Sequence, residues 1–396
     1  MPDIKPEMLV WARESIGFTV EVAAQKLQFK DGRSATAVER LLAIETGKKK
    51  VSRPLLLKMA AQYRKPLLTF YMDKPPRQEK RGEDFRTLPD GFSPEDDALV
   101  DVLLRNIRSR QSLLRDTLID EDEAEERPFI GAMKGRRSIA NVSHFVSQTL
   151  GFDLASFRRQ KRPEQAFAYL RGLAEDNGIF VLLIGNLGSH HTNLHHQLFR
   201  GFALADDIAP FIVINDQDAA SAWSFTLLHE MTHLVLGQTG VSSSIVEKKI
   251  EKFCNDVASR ILLPDDELGS IPALGDTFDE ISHTVSTIAQ DRNLSSTLVA
   301  YRLFRHGLIE EDLWESLHAY YRDRWLSSRT RKSKDSKKDS GPNYFVVRKH
   351  RLGNALVQLA QRMTHAGALT EASAGLLLDV RPLKVHKLFA TGPQAA

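Results

Sequence analysis

One five-residue segment constrains this chain more than any other: His229-Glu230-Met231-Thr232-His233. Apolar residues flank it, Phe225, Leu227 and Leu228 before and Leu234, Val235 and Leu236 after, and Ser221 and Gly237 offer a helix start and stop. On a helix of about 3.6 residues per turn the two histidines project from one face, so their rings can chelate one divalent ion, most naturally zinc. Glu230 stands between them, where a carboxylate can accept a proton from water polarised by the metal. Two imidazoles and a carboxylate in a buried helix are costly unless paired or metallated, so a purely structural helix has no reason to hold them. The segment predicts a zinc peptidase with His229 and His233 as ligands and Glu230 as the catalytic base.

A catalytic zinc keeps three protein ligands and one open position. The stretch from Val246 to Leu263 reads as a second helix ending at Pro264, with Ile250, Cys254, Val257 and Ile261 at helical spacing. Glu247 and Glu251 lie one turn apart on it, and Asn255 and Ala258 continue the Glu251 face. Glu251 is the first candidate for the third ligand and Glu247 the reserve; for an arbitrary helix glutamate, a solvated surface position is the default. His190, His191, His195 and His196 could also supply a ligand, but they read more naturally as a polar loop between strands.

The run Phe225-Thr226-Leu227-Leu228-His229-Glu230-Met231-Thr232-His233-Leu234, followed by Glu251, Asn255, Ala258 and Ile261-Leu262-Leu263-Pro264, resembles the ImmA/IrrE metallopeptidases. That family pairs an F-T-x-x-H-E-x-x-H helix with a second helix of the form E-x-x-x-N-x-x-A-x-x-L-L-x-P. The resemblance implies Glu251 as the third zinc ligand. Phe199-Arg200-Gly201-Phe202-Ala203 and Ala209 to Asn215 resemble the strands that precede the family's zinc helix, and Asp84-Phe85-Arg86 extends the similarity more weakly. The specific match covers about residues 175–265. It implies a regulatory protein as substrate, often a repressor, in stress response, mobile-element control or toxin–antitoxin-like systems.

With 396 residues, 42% of them hydrophobic, the chain can build two or three compact units. Its apolar runs are too short for a membrane span, and Met1 to Arg13 lacks the pattern of a secretion signal. The single cysteine, Cys254, excludes an internal disulfide and suits a reducing cytoplasm; on the apolar helix face it reads as a packed thiol rather than a nucleophile. A net charge of +3 does not by itself imply nucleic-acid binding.

The charge is unevenly placed, however. Residues 1–80 carry 16 Lys/Arg against 9 Asp/Glu. Leu9, Trp11 and Ala12, then Phe18 to Leu27 with Thr19 as N-cap, then Ala37, Val38, Leu41 and Ile44 before Glu45-Thr46-Gly47, resemble an XRE-type helix-turn-helix domain. Lys48, Lys49 and Lys50 are its candidate DNA contacts. The extra stretch Lys30-Asp31-Gly32-Arg33 lengthens the turn before the presumed recognition helix, so two readings stay open: DNA contact, or a helical protein-contact module.

The expected fold class is α+β. A helical helix-turn-helix-like domain (1–72) and a helical connector (73–160) precede a zincin-like peptidase domain (161–326) with a small sheet beside the His-Glu helix. A flexible basic linker (327–342) and a small C-terminal domain (343–396) follow. Glu121 to Glu126 reads as a solvated acidic patch, and Tyr344 to Val347 as a short strand. A sheet edge beside the metal helix can bind an extended peptide through backbone hydrogen bonds. The expected function is limited cleavage of a regulatory protein by a zinc endopeptidase. The alternative is a DNA-binding regulator or antitoxin-like partner whose zinc is structural, which would call for four protein ligands rather than three.

Overall fold

The computed structural model describes residues 4–32, 34–76, 94–188, 192–195, 198–237, 244–271, 273–335 and 343–390, without the side chains of 94, 95, 97, 244–248 and 329–335. The chain splits into two compact units, Met1–Ile107 with Asn186–Leu198, and Arg108–Gly185 with Phe199–Ala396. None of the described helices is long and apolar enough to cross a membrane.

The first unit is helical: α1 (Pro6–Glu14), α2 (Val20–Lys26), α3 (Ala37–Glu45), α4 (Arg53–Gln62) and a 3-10 turn at Leu67–Tyr71. Short polar side chains start its helices, because their oxygens accept from otherwise orphaned N–H groups. Thr19 caps α2, Ser52 caps α4, and Thr36 with Glu39 forms a reciprocal capping box on α3. Leu9, Ala23, Leu41, Leu56, Met59, Tyr63 and Phe70 make the core, joined by Ala98 from α5 (Pro94–Asp120). Glu45 is buried in this unit as the partner of Arg13, whose Nε donates to both its carboxylate oxygens at 2.8 and 3.1 Å. The long turn before α3 is braced: Asp31 accepts from the Ala37 N–H, and Arg40 donates to the Lys30 carbonyl.

The second unit holds a three-stranded sheet of β1 (Phe180–Leu183), β2 (Gly201–Leu204) and β3 (Phe211–Ile214), in the order β1-β3-β2. β1 runs parallel to β3, with Phe180 opposite Phe211, and β2 runs antiparallel, with Gly201 opposite Ile214. Every residue of β1 and β3 is buried, whereas β2 is a partly exposed edge. Around the sheet lie α6 (Ile139–Leu150), α7 (Leu154–Arg158), α8 (Pro163–Asp176), α9 (Ala220–Leu236), α10 (Ser244–Leu262), α11 (Asp265–Leu268), α12 (Phe278–Asp291) and α13 (Ser296–Arg305). The long α14 (Glu311–Asp335) precedes four shorter helices, α15 (Tyr344–Leu352), α16 (Asn354–Ala366), α17 (Glu371–Leu377) and α18 (Val385–Ala390). α9 packs against β2, β3, α8 and α10, which sets it in the middle of the unit.

Several expectations are corrected here. Ser221 lies within the first turn of α9, whose N-cap position is Ala219 with no side-chain cap. Tyr344–Val347 is helical rather than extended: Asn343 accepts from the Phe345 N–H and starts α15, which packs on β1. A four-residue apolar run carries no period, so the cap and the surroundings decide its conformation. Ser327–Asp335 continues α14 rather than forming a flexible linker, because Ser, Lys and Arg do not break a helix once it is nucleated upstream. The rest of that expected linker, and Asp84-Phe85-Arg86, lie outside the described residues. In the acidic patch, Glu123 is more than solvated, since it pairs with Arg362 of α16.

Candidate metal centre

The helix that carries His229 and His233, α9, is fixed at its C-terminal end by a loop the sequence did not reveal. The Gly131 N–H donates to the Leu234 carbonyl at 2.9 Å and the Met133 N–H to the Val235 carbonyl at 2.8 Å, which satisfies carbonyls that a helix end leaves open. Gly237 then stops the helix in a left-handed conformation, φ 61°. A Cβ there would also come within 2.8 Å of the Gly131 backbone, so the position excludes a side chain on two grounds.

His229 and His233 project from α9 toward α10. Their Nε2 atoms lie 3.1 Å apart; Glu251 brings Oε2 to 3.1 Å from His229 Nε2 and Oε1 to 3.2 Å from His233 Nε2. A tetrahedral ion with bonds of about 2.0 Å holds its ligand atoms about 3.3 Å apart. The three side chains thus already sit at the spacing of a ligand set, and two nitrogens with a carboxylate are a donor set suited to zinc. Among the described residues this grouping contains His229, His233 and Glu251 and does not include His195. Glu247 stands on α10, but its side chain lies outside the described residues, as do His190, His191 and His196.

Burial is asymmetric around the group. The histidine side chains are 11% and 6% exposed against 43% for Glu251, so the cluster opens to solvent on the Glu251 side. Burial pushes the His229 ring below its ordinary pKa, and the hydrogen bond it donates to Glu251 only partly opposes this. Burial alone would raise the Glu251 carboxyl, but hydrogen bonds and attraction from His229 and His233 outweigh it and hold it well below the usual range. The neutral ring and the ionised carboxylate are the protonation states that ligate a metal. Cys254, buried on α10 next to Asn255, has its thiol pushed up by burial, as suits a packed thiol rather than a nucleophile.

Glu230 is 3% exposed, on the side of α9 that meets β2. A Cβ placed on Gly201 would fall 2.5 Å from Thr226 Cγ2 and 2.9 Å from Glu230 Oε1. The glycine at the start of β2 therefore makes room for the carboxylate beside the edge strand. Behind α10, Asp256 is locked by Tyr301 and by two bonds from Arg305 at 2.7 and 2.6 Å, which ties the helix bearing Glu251 to α13. The sequence marks Gly201 only as part of a strand motif and Asp256 as an ordinary helix residue, since both roles depend on residues far away in the chain.

Lys48, Lys49 and Lys50 belong to the other unit, where they are exposed just beyond α3.

Residues 174–304 match the family model of the IrrE N-terminal-like domain, Peptidase_M78. The match includes the whole sheet, α9 and α10, and thus all three candidate ligands and Glu230. It supports a metallopeptidase of the IrrE/ImmA type. No match was found among curated proteins.

Proposed function

We propose that the chain is a zinc-dependent endopeptidase that makes limited cuts in a regulatory protein, a transcriptional repressor being the expected class. The observation that carries this reading is the buried His229–His233 pair closed by Glu251 at ligand spacing, with Glu230 beside an edge strand. His229, His233 and Glu251 hold the ion; among the described residues they are three rather than the four of a structural site, which leaves a position for chemistry. When bound, zinc supplies Lewis-acid activation of water and of the scissile carbonyl. Glu230 takes the proton of the attacking water on its carboxylate and returns it to the leaving amine. The edge strand β2, last in the sheet among the described residues, aligns an extended substrate segment by backbone hydrogen bonds, which favours exposed loops over folded domains. The absence of an internal disulfide, with Cys254 alone, suits a cytoplasmic setting in stress response, mobile-element control or a toxin–antitoxin-like pair.

The N-terminal unit we read as a helix-turn-helix-like module. Lys48, Lys49 and Lys50 are its phosphate contacts if it engages DNA, and its alternative role is contact with the substrate protein.

The test is a metal assay joined to a cleavage assay. Purified protein should carry about one zinc per chain, His229→Ala and His233→Ala should abolish that, and Glu251→Ala should weaken it strongly. The zinc-loaded protein should cut a regulatory protein encoded beside it at one site. Full zinc retention by the double histidine variant would overturn the reading.

A further inference from the structure

We propose that the C-terminal helices α16 to α18 form a DNA-binding helix-turn-helix in which the turn presents Arg381 and Lys384, and the following helix α18 presents Lys387, to a duplex. The geometry is that of two helices joined by a tight, fixed turn. Thr370 caps α17 by accepting from the Ser373 N–H at 3.1 Å. After Leu378 the chain reverses through Asp379, which takes a left-handed φ of 47°, and the Val380 N–H closes the turn on the Gly375 carbonyl at 2.9 Å. Pro382 then starts a 3-10 turn, Pro382–Lys384, that runs straight into α18.

Gly375 lets the turn lie close against α17. A Cβ there would fall 2.8 Å from the Val380 carbonyl oxygen and 3.2 Å from the Pro382 nitrogen. Ala374, Leu377, Leu378, Val385 and Leu388 are all buried and lock the pair together, while Leu356, Val357, Ala360 and Met363 of α16 are buried in the helix before it. Reading a major groove requires a helix held at a fixed angle with its outer face free, and this arrangement meets the first condition.

The outer face meets the second. Arg381, Leu383, Lys384, His386 and Lys387 are exposed, and no acidic residue occurs from Arg381 to Ala390. The one acid of the turn, Asp379, is taken by Arg348 at 2.8 Å. Leu383 at the tip is 81% exposed and contributes no burial to the fold. The cations complement phosphates, and the projecting Leu383 offers an apolar contact to a base methyl group.

The test uses the full-length, zinc-loaded protein and a fluorescent mixed-sequence DNA duplex, with anisotropy followed across a salt series. The combined change Arg381→Ala, Lys384→Ala, Lys387→Ala should weaken binding about tenfold or more at low salt and reduce the slope of log affinity against log salt by about 2.7, at about 0.9 per phosphate contact. The charge-keeping set Arg381→Lys, Lys384→Arg, Lys387→Arg should retain binding. The same loss should appear on a background of Lys48→Ala, Lys49→Ala, Lys50→Ala, which separates this face from the N-terminal lysines. Circular dichroism and zinc content equal to the intact protein establish that the alanine variant is folded. Unchanged affinity and slope in that variant, absence of duplex binding by the intact protein, or equally tight charge-dependent binding to polyglutamate would each overturn the proposal.

Discussion

At the scale of single residues, the centre depends on one side chain that is missing. Gly201 leaves the space into which Thr226 and Glu230 reach, and a methyl group there would meet Thr226 Cγ2 and the Glu230 carboxylate. Gly201→Ala should therefore move the proposed base while leaving His229, His233 and Glu251 in place. The expected result is a fall in kcat of tenfold or more with zinc content unchanged, read by metal analysis beside a cleavage assay. Loss of zinc in that variant would mean that the glycine supports the ligands instead. Glu230→Gln is the cleaner chemical probe, because the amide keeps the shape but cannot accept a proton. It should retain the fold and the zinc while cleavage drops by about 10²–10⁴-fold. Cleavage at the normal rate would remove Glu230 from the mechanism.

At the scale of elements, α9 is held at its end by the Gly131–Met133 loop and stopped by Gly237. Gly237→Ala adds a left-handed alanine and a contact with the Gly131 backbone, so it should cost about 1–2 kcal/mol, seen as a lower denaturation midpoint of the metal-free protein. α9 and α10 were legible in the sequence because their information is local: paired histidines four apart, a glutamate and asparagine one turn apart, and a proline stop. The Ser295 and Thr370 caps of α13 and α17 are local in the same sense, each side chain accepting from an N–H three residues on. What was not legible depends on contacts distant in the chain. Asp256 reads as an ordinary helix aspartate until Arg305, 49 positions away, closes on it. Glu175 accepts from the N–H groups of Asn354 and Ala355 at the start of α16, and Arg171 beside it donates to the His350 carbonyl. That buried pair docks the C-terminal helices on α8, yet nothing around residue 171 announces it. Phe345 to Val347 had the composition of a strand, and a cap at Asn343 with packing on β1 made it a helix.

At the scale of the whole molecule, the two units have separate cores. The N-terminal core runs from Leu9 to Phe70 with Ala98, and the core around the metal helix contains no residue before Phe129 among those described. Zinc binding should therefore not require the first 80 residues, while partner cleavage should, if that unit raises the local concentration of one substrate. On the proposed reading, an open metal position that cut proteins freely would be harmful, and an edge strand that takes only extended segments would restrict cleavage to exposed linkers. Deletion of residues 1–80 should leave about one zinc per chain and lower the kcat/KM for the regulatory partner at least tenfold. Cleavage of a short peptide spanning the cut site should change little, because the peptide makes no second contact. The intact enzyme should leave unfolded casein largely uncut. Equal partner cleavage with and without residues 1–80 would assign the N-terminal unit a role apart from substrate choice, and vigorous casein digestion would place selectivity outside this molecule altogether.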